Sequence, residues 1–194
     1  MNPVSLQIAY ITGRSQPGHA QLSPLQSAFI SKLARPQRRL VSLNFPYVCE
    51  TGALTGIPSP GLLTASFYNS RDYFTSRNRQ FRARYQRCVT ELLTQAPQTV
   101  LLAGSCGLEL FNNLDLSSEV MASTTIIAYG AVARKRPACR HILIQGHQDW
   151  LSRFYFRKVD LKVHCGHMNY LSNPDVLAIC EDYIERIESR ENGR

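Results

Sequence analysis

Six short apolar runs alternate with stretches of helical spacing along this chain, and that alternation limits the fold more than any other feature. The runs are Ser5 to Ile11, Arg39 to Asn44, Thr99 to Gly104, Thr124 to Ala133, His141 to Gln145 and Val159 to His164. Between and after them, helical spacing covers Pro24 to Leu33, Arg77 to Gln95, Leu108 to Leu114, Asp149 to Phe156 and Asn173 to Arg190. Strands separated by helices cannot pair through tight hairpins, so they pair in parallel through crossovers, and both sheet faces are then covered. The expected fold is therefore α/β, a mainly parallel β-sheet of about six strands with helices on both faces.

Length and composition narrow this further. At roughly 150 residues per domain, the 194 residues are expected to form one domain, 1–194. The apolar share of 44% argues against a disordered chain. No apolar run approaches the roughly 18 residues of a membrane span. The six cysteines contain no CxxC and no zinc-like pair, so no metal and no cofactor is expected. The opening Met1-Asn2-Pro3-Val4 has no basic start or apolar core of a leader, and with the cysteine pattern this implies a reducing, cytoplasmic setting. The segment 46–73, rich in Gly, Pro, Ser and Thr, is long for a connection and is expected to be a loop or lid.

Net charge is +8, with Arg71, Arg77, Arg79, Arg82, Arg84 and Arg87 in one group and Arg134, Lys135, Arg136 and Arg140 in another. These read either as solvated faces or as an anion-facing surface. No nucleic-acid-binding motif and no nucleotide-phosphate loop accompanies the charge, so nucleic acid is not an expected partner.

The chemistry gathers where the third run ends, at Ala103-Gly104-Ser105-Cys106-Gly107. A sharp strand-to-helix turn pushes the residue at its apex above the sheet, and bulky side chains two positions to either side would collide across it. Ala103 and Gly107 are small, so Ser105 is a candidate nucleophile. A hydroxyl nucleophile needs a base, and the base needs an orienting acid. Later strands run into Gly146-His147-Gln148-Asp149 and Cys165-Gly166-His167, at the same carboxyl edge of a parallel sheet. Asp149 and His167 fit the acid and base. Cys106 is a rival nucleophile, but it would put Leu108 at the position two beyond. His164 and His147 are rival bases, and Asp149 could serve merely as a helix cap.

These segments, with the closing Asn173-Pro174-Asp175 helix, resemble the α/β-hydrolase superfamily over nearly the whole chain. The resemblance implies a minimal member without a cap, in which Ser105 is the nucleophile, Asp149 the acid and His167 the base. Ile11-Thr12-Gly13-Arg14 resembles the family's oxyanion loop, which implies an oxyanion hole from backbone N–H groups of Cys106 and the Gly13-Arg14 turn. The expected activity is that of a serine hydrolase acting on a small-molecule acyl ester or thioester. The Arg-rich face tilts the reading towards an acyl thioesterase with a carrier-borne substrate. An acyltransferase on the same triad, and a non-catalytic module binding a carrier protein or other acidic partner, stand as alternatives.

Overall fold

The computed structural model describes residues 4–14, 20–49 and 70–192. Six strands form one all-parallel sheet: β1 (Leu6–Ile11), β2 (Arg38–Phe45), β3 (Gln98–Gly104), β4 (Thr124–Tyr129), β5 (Arg140–Gly146) and β6 (Leu161–Val163), in the order β2-β1-β3-β4-β5-β6. The helices are α1 (Pro24–Lys32), α2 (70–75), α3 (Arg79–Leu93), α4 (Gly107–Asn112), α5 (Ser118–Ala122), α6 (Trp150–Tyr155) and α7 (Pro174–Asn192). Short 3-10 turns occupy Tyr47–Cys49 and Tyr170–Ser172.

The period of two along each strand explains the layers. Leu6, Ile8, Tyr10, Val100, Leu102, Ile127, Tyr129, Ile142 and Ile144 point to one face and pack with α1 and α7. Ala9, Ile11, Leu101, Ala103, Ile126, Ala128 and Leu143 point to the other and pack with α3, α4 and α5. Strands buried on both faces read as continuous apolar runs, which is why the third and fourth were conspicuous. The expected α/β sheet with helices on both faces is the fold observed.

Two differences matter for the site. The fourth run, expected as a strand through Ala133, leaves the sheet after Tyr129, where Gly130 adopts a φ of +56°. Residues 130–134 then turn towards the end of β3. The expected loop over 46–73 contains helix α2 at its far end, and its stretch 50–69 lies outside the described residues.

Cysteine usage also departs from expectation. Cys49 and Cys88 form a disulfide that fastens the 3-10 turn after β2 to α3. Cys106, Cys139, Cys165 and Cys180 are free and buried. A disulfide is not favoured in a reducing compartment, so the cysteines no longer support the cytoplasmic expectation. Among the described residues no helix is long and apolar enough to cross a membrane, and no cluster of three or more metal-ligating side chains occurs.

Candidate active site

The end of β3 forms the turn that the small residues foreshadow. Ser105 has a φ of +50°, a left-handed conformation costly for any residue with a Cβ. The surroundings hold it there. The Ser105 N–H donates to the Tyr129 carbonyl at 3.3 Å, and the Val132 N–H donates to the Ser105 carbonyl at 2.9 Å. A Cβ on Gly107 would collide with the backbone carbonyl of Ile11, so α4 can start beside β1 only with glycine there.

The 130–134 loop that grips the turn is itself anchored. Its Gly130 N–H donates to the Ile144 carbonyl at 3.1 Å, and its Arg134 N–H donates to Glu109 Oε2 at 3.0 Å. Glu109 is buried in α4. Its Oε1 accepts from Arg134 Nε at 2.7 Å, Arg77 Nε at 3.1 Å and Asn113 Nδ2 at 3.3 Å. Burial pushes the Glu109 carboxyl up, but these donors outweigh it and hold the group ionised.

The three expected partners meet at the carboxyl edge of the sheet. Ser105 Oγ lies 3.3 Å from His167 Nε2. His167 Nδ1 lies 2.9 Å from Asp149 Oδ2 and 3.0 Å from Oδ1. Asp149 is fully buried and also caps α6, accepting the Ser152 N–H at 3.0 Å, so the capping role coexists with the contact to His167. A further group emerges only from the fold. Buried Tyr170 donates its hydroxyl to Asp149 Oδ2 at 2.7 Å and accepts the Gly146 N–H at 2.6 Å. No local pattern around Tyr170 signals this role.

Burial alone would push the Asp149 carboxyl up. Its hydrogen bonds from His167, the Ser152 N–H and Tyr170 outweigh that and bring it from the ordinary 3.8 down to about 2. A carboxyl whose folded-state value is depressed adds stability above its unfolded value and loses it as pH falls through the folded one. Asp149 therefore stabilises the fold fully above about pH 4, and the gain disappears towards pH 2. Denaturant midpoints of the wild type and of Asp149→Asn between pH 6 and pH 2 check this. The wild type is expected to lose its advantage over the variant across that window, and a constant difference would contradict the assignment.

The rivals fall away from the centre. The His147 and His164 rings stack on each other at 4.7 Å on the surface. The Cys106 thiol is buried with Tyr73 and Val132, and burial pushes it up to about 12, so a thiolate is disfavoured.

The oxyanion loop differs from expectation in the partners of its N–H groups. The Arg14 N–H, expected as an oxyanion donor, instead donates to buried Asp72 Oδ2 at 2.9 Å. The Arg14 guanidinium lies 3.5 Å from Oδ1 of the same carboxylate and covers the Tyr47 ring at 4.4 Å. Thr12 is tied at both ends, its N–H to Asn44 Oδ1 at 2.9 Å and its carbonyl to Asn44 Nδ2 at 3.0 Å. Between these two clamped residues, the Gly13 N–H faces the Cys106 sulfur beside the turn.

Five of the ten residues in the basic clusters are in the ion pairs that follow. Arg77 and Arg134 meet Glu109, Arg82 meets Asp115, Arg87 meets Glu91 and Arg136 meets Asp160. The tilt towards an anionic, carrier-borne thioester rested on these clusters, and half of their charge is already matched by carboxylates.

No family model matches the chain, and no curated protein does. Among solved structures, the chain is similar to the crystal structure of esterase PE8, with 18% sequence identity and a TM-score of 0.54. The match covers 95% of this chain and 93% of that chain. At that identity the likeness is one of fold.

Proposed function

We propose that the protein is a serine hydrolase that cleaves an ester or thioester through a covalent acyl-enzyme. The observation that carries this reading is the continuous path from Ser105 Oγ to His167 Nε2 and from His167 Nδ1 to Asp149, at 3.3 Å and 2.9 Å. A serine hydroxyl is a weak nucleophile until a base takes its proton. As Ser105 Oγ bonds to the acyl carbon, its proton passes to His167 Nε2. Asp149, ionised over the working range, stabilises the imidazolium and keeps Nδ1 protonated. The acyl oxygen gains negative charge beside the Cys106 N–H, joined by the Gly13 N–H once that group leaves the Cys106 sulfur it faces in the free protein. Loss of one such donor typically lowers the rate by about 10² to 10³. The C–O or C–S bond then breaks as the leaving group takes the proton from Nε2. Water, deprotonated by His167, attacks the acyl carbon and releases the acid, restoring Ser105.

The apolar wall of Tyr73, Cys106, Val132 and Tyr155 lies directly against the turn and suits the acyl portion of the substrate. The single-domain reading accompanies this proposal, since Ser105, Asp149 and His167 each follow a strand of the same sheet.

A fluorophosphonate probe tests the reading, because it phosphonylates only an activated serine. Labelling of the folded protein, with the adduct mass on the peptide bearing Ser105 and absent in Ser105→Ala, is expected. Folded protein that stays unlabelled would overturn the hydrolase and leave a binding module.

A further inference from the structure

Of the eight large apolar side chains exposed among the described residues, five lie on α2, on α6 and beside His167. Trp150 is 76% exposed, Leu151 48% and Phe154 83%, all on α6, the helix that starts beside Asp149. Trp150 and Phe154 are four apart and Leu151 and Phe154 three apart, so the three share one helix face. Met168, next to His167, is 65% exposed, and Phe74 on α2 is 62% exposed. Ring contacts link α2 to α6: Phe74 to Tyr73 at 5.2 Å, Tyr73 to Tyr155 at 6.0 Å and Tyr155 to Phe154 at 5.5 Å. Tyr73 and Tyr155 belong to the apolar wall beside Ser105, so the patch and the site are continuous. A contiguous exposed apolar surface of this kind marks an interaction site.

The charges at the rim have one sign. Arg153 covers the Trp150 ring at 4.7 Å, and Arg157 and Lys158 follow α6. Arg71 opens the α2 side. None of these four is in an ion pair among the described residues. The only carboxylates on 70–77 and 147–158, Asp72 and Asp149, are buried and engaged in the site.

We propose that this rim docks on an anionic lipid surface. A second copy of the chain would bring the same cationic rim against itself, and like charges would oppose the contact. A protein partner would need a cavity for each ring, whereas Trp150 and Phe154 stand clear of the surface with more than three quarters of their area free. Protruding Trp and Phe beside Arg and Lys is the arrangement that inserts into a headgroup layer, rings into the acyl boundary and cations at the phosphates. Docked this way, the surface would present ester-bearing amphiphiles to Ser105, a consequence that rests on the hydrolase reading; the docking itself does not.

Flotation of the full chain with vesicles tests the docking. Vesicles of phosphatidylcholine alone and of phosphatidylcholine with phosphatidylglycerol are compared at low and high salt. The wild type and Ser105→Ala are expected to float with the anionic vesicles, more weakly at high salt. The double variant Trp150→Ala/Phe154→Ala is expected to lose at least about tenfold in partitioning, while keeping wild-type turnover of a water-soluble short-chain ester. Arg153→Glu, which leaves the apolar face intact, is expected to weaken binding to the anionic vesicles. A wild type that does not float, or a folded double variant that floats equally well, would overturn the docking. So would binding to an acidic carrier protein without binding to vesicles. A chain that floats yet hydrolyses no soluble ester would instead count against the hydrolase reading.

Discussion

Ser105→Ala is expected to lower ester turnover by at least about four orders of magnitude, with the denaturation midpoint nearly unchanged. The large loss follows from the removal of the atom that forms the acyl bond. His167 and the oxyanion donors can still bind and polarise a substrate, so a residual rate about 10³-fold above the uncatalysed one survives. The small change in stability follows from local geometry. Among the described residues the Ser105 hydroxyl has a hydrogen bond only with His167 Nε2, and the backbone bonds that hold the turn, to Tyr129 and from Val132, do not involve the side chain. Alanine carries the same Cβ and meets the same cost at a φ of +50°, so the strain neither rises nor falls. Stability is expected to stay within about 0.5 kcal/mol. Steady-state hydrolysis of a chromogenic short-chain ester, with urea denaturation of the same preparation, measures both. A folded variant that keeps even a tenth of wild-type turnover would end the triad mechanism.

The sheet and much of this centre could be read from the chain because the relevant signals are local. A strand buried on both faces is a continuous apolar run, and the turns after β3, β5 and β6 carry small residues within a few positions of Ser105, Asp149 and His167. Parallel topology then fixes all three carboxyl ends at one edge without any knowledge of contacts. What the chain hides is whatever depends on a distant side chain. Asp72 lies 58 positions from Arg14, and its capture of the Arg14 N–H removes an expected donor. Tyr170 lies 21 positions from Asp149 and Glu109 lies 25 from Arg134, and neither has a spacing that marks it. Gly130 ends β4 inside an unbroken apolar stretch because residues 131–133 stay buried after leaving the sheet, under the turn at Ser105. Burial, which made the run conspicuous, is the same on both sides of that bend.

Gly107→Ala is expected to destabilise the protein by about 3 kcal/mol or more, and to cut turnover of whatever folds by at least about 100-fold. The added Cβ would meet the carbonyl of Ile11, a backbone atom that cannot rotate away. Ile11 cannot retreat either. It closes β1, which pairs with β2 through Phe45 on one side and with β3 through Ala103 on the other. The next residue, Thr12, is clamped at both its N–H and its carbonyl by Asn44. Relief must therefore come from α4, which carries Glu109 and begins two residues after Ser105. Moving α4 disturbs the Glu109 anchor of the 130–134 loop, the Val132 bond to Ser105 and the approach of Gly13 to Cys106 together. Both the nucleophile and its oxyanion donors shift, which is why activity falls further than the stability loss alone would require. Gly166→Ala is the matched control. Its added Cβ meets nothing nearer than Asn169 Oδ1 at 3.4 Å, an ordinary contact, although it sits next to His167. Urea midpoints and kcat for the pair separate a specific steric requirement at Gly107 from a general intolerance near the site. A Gly107→Ala protein as stable and active as Gly166→Ala would show that β1 and α4 do not approach as closely as the turn requires.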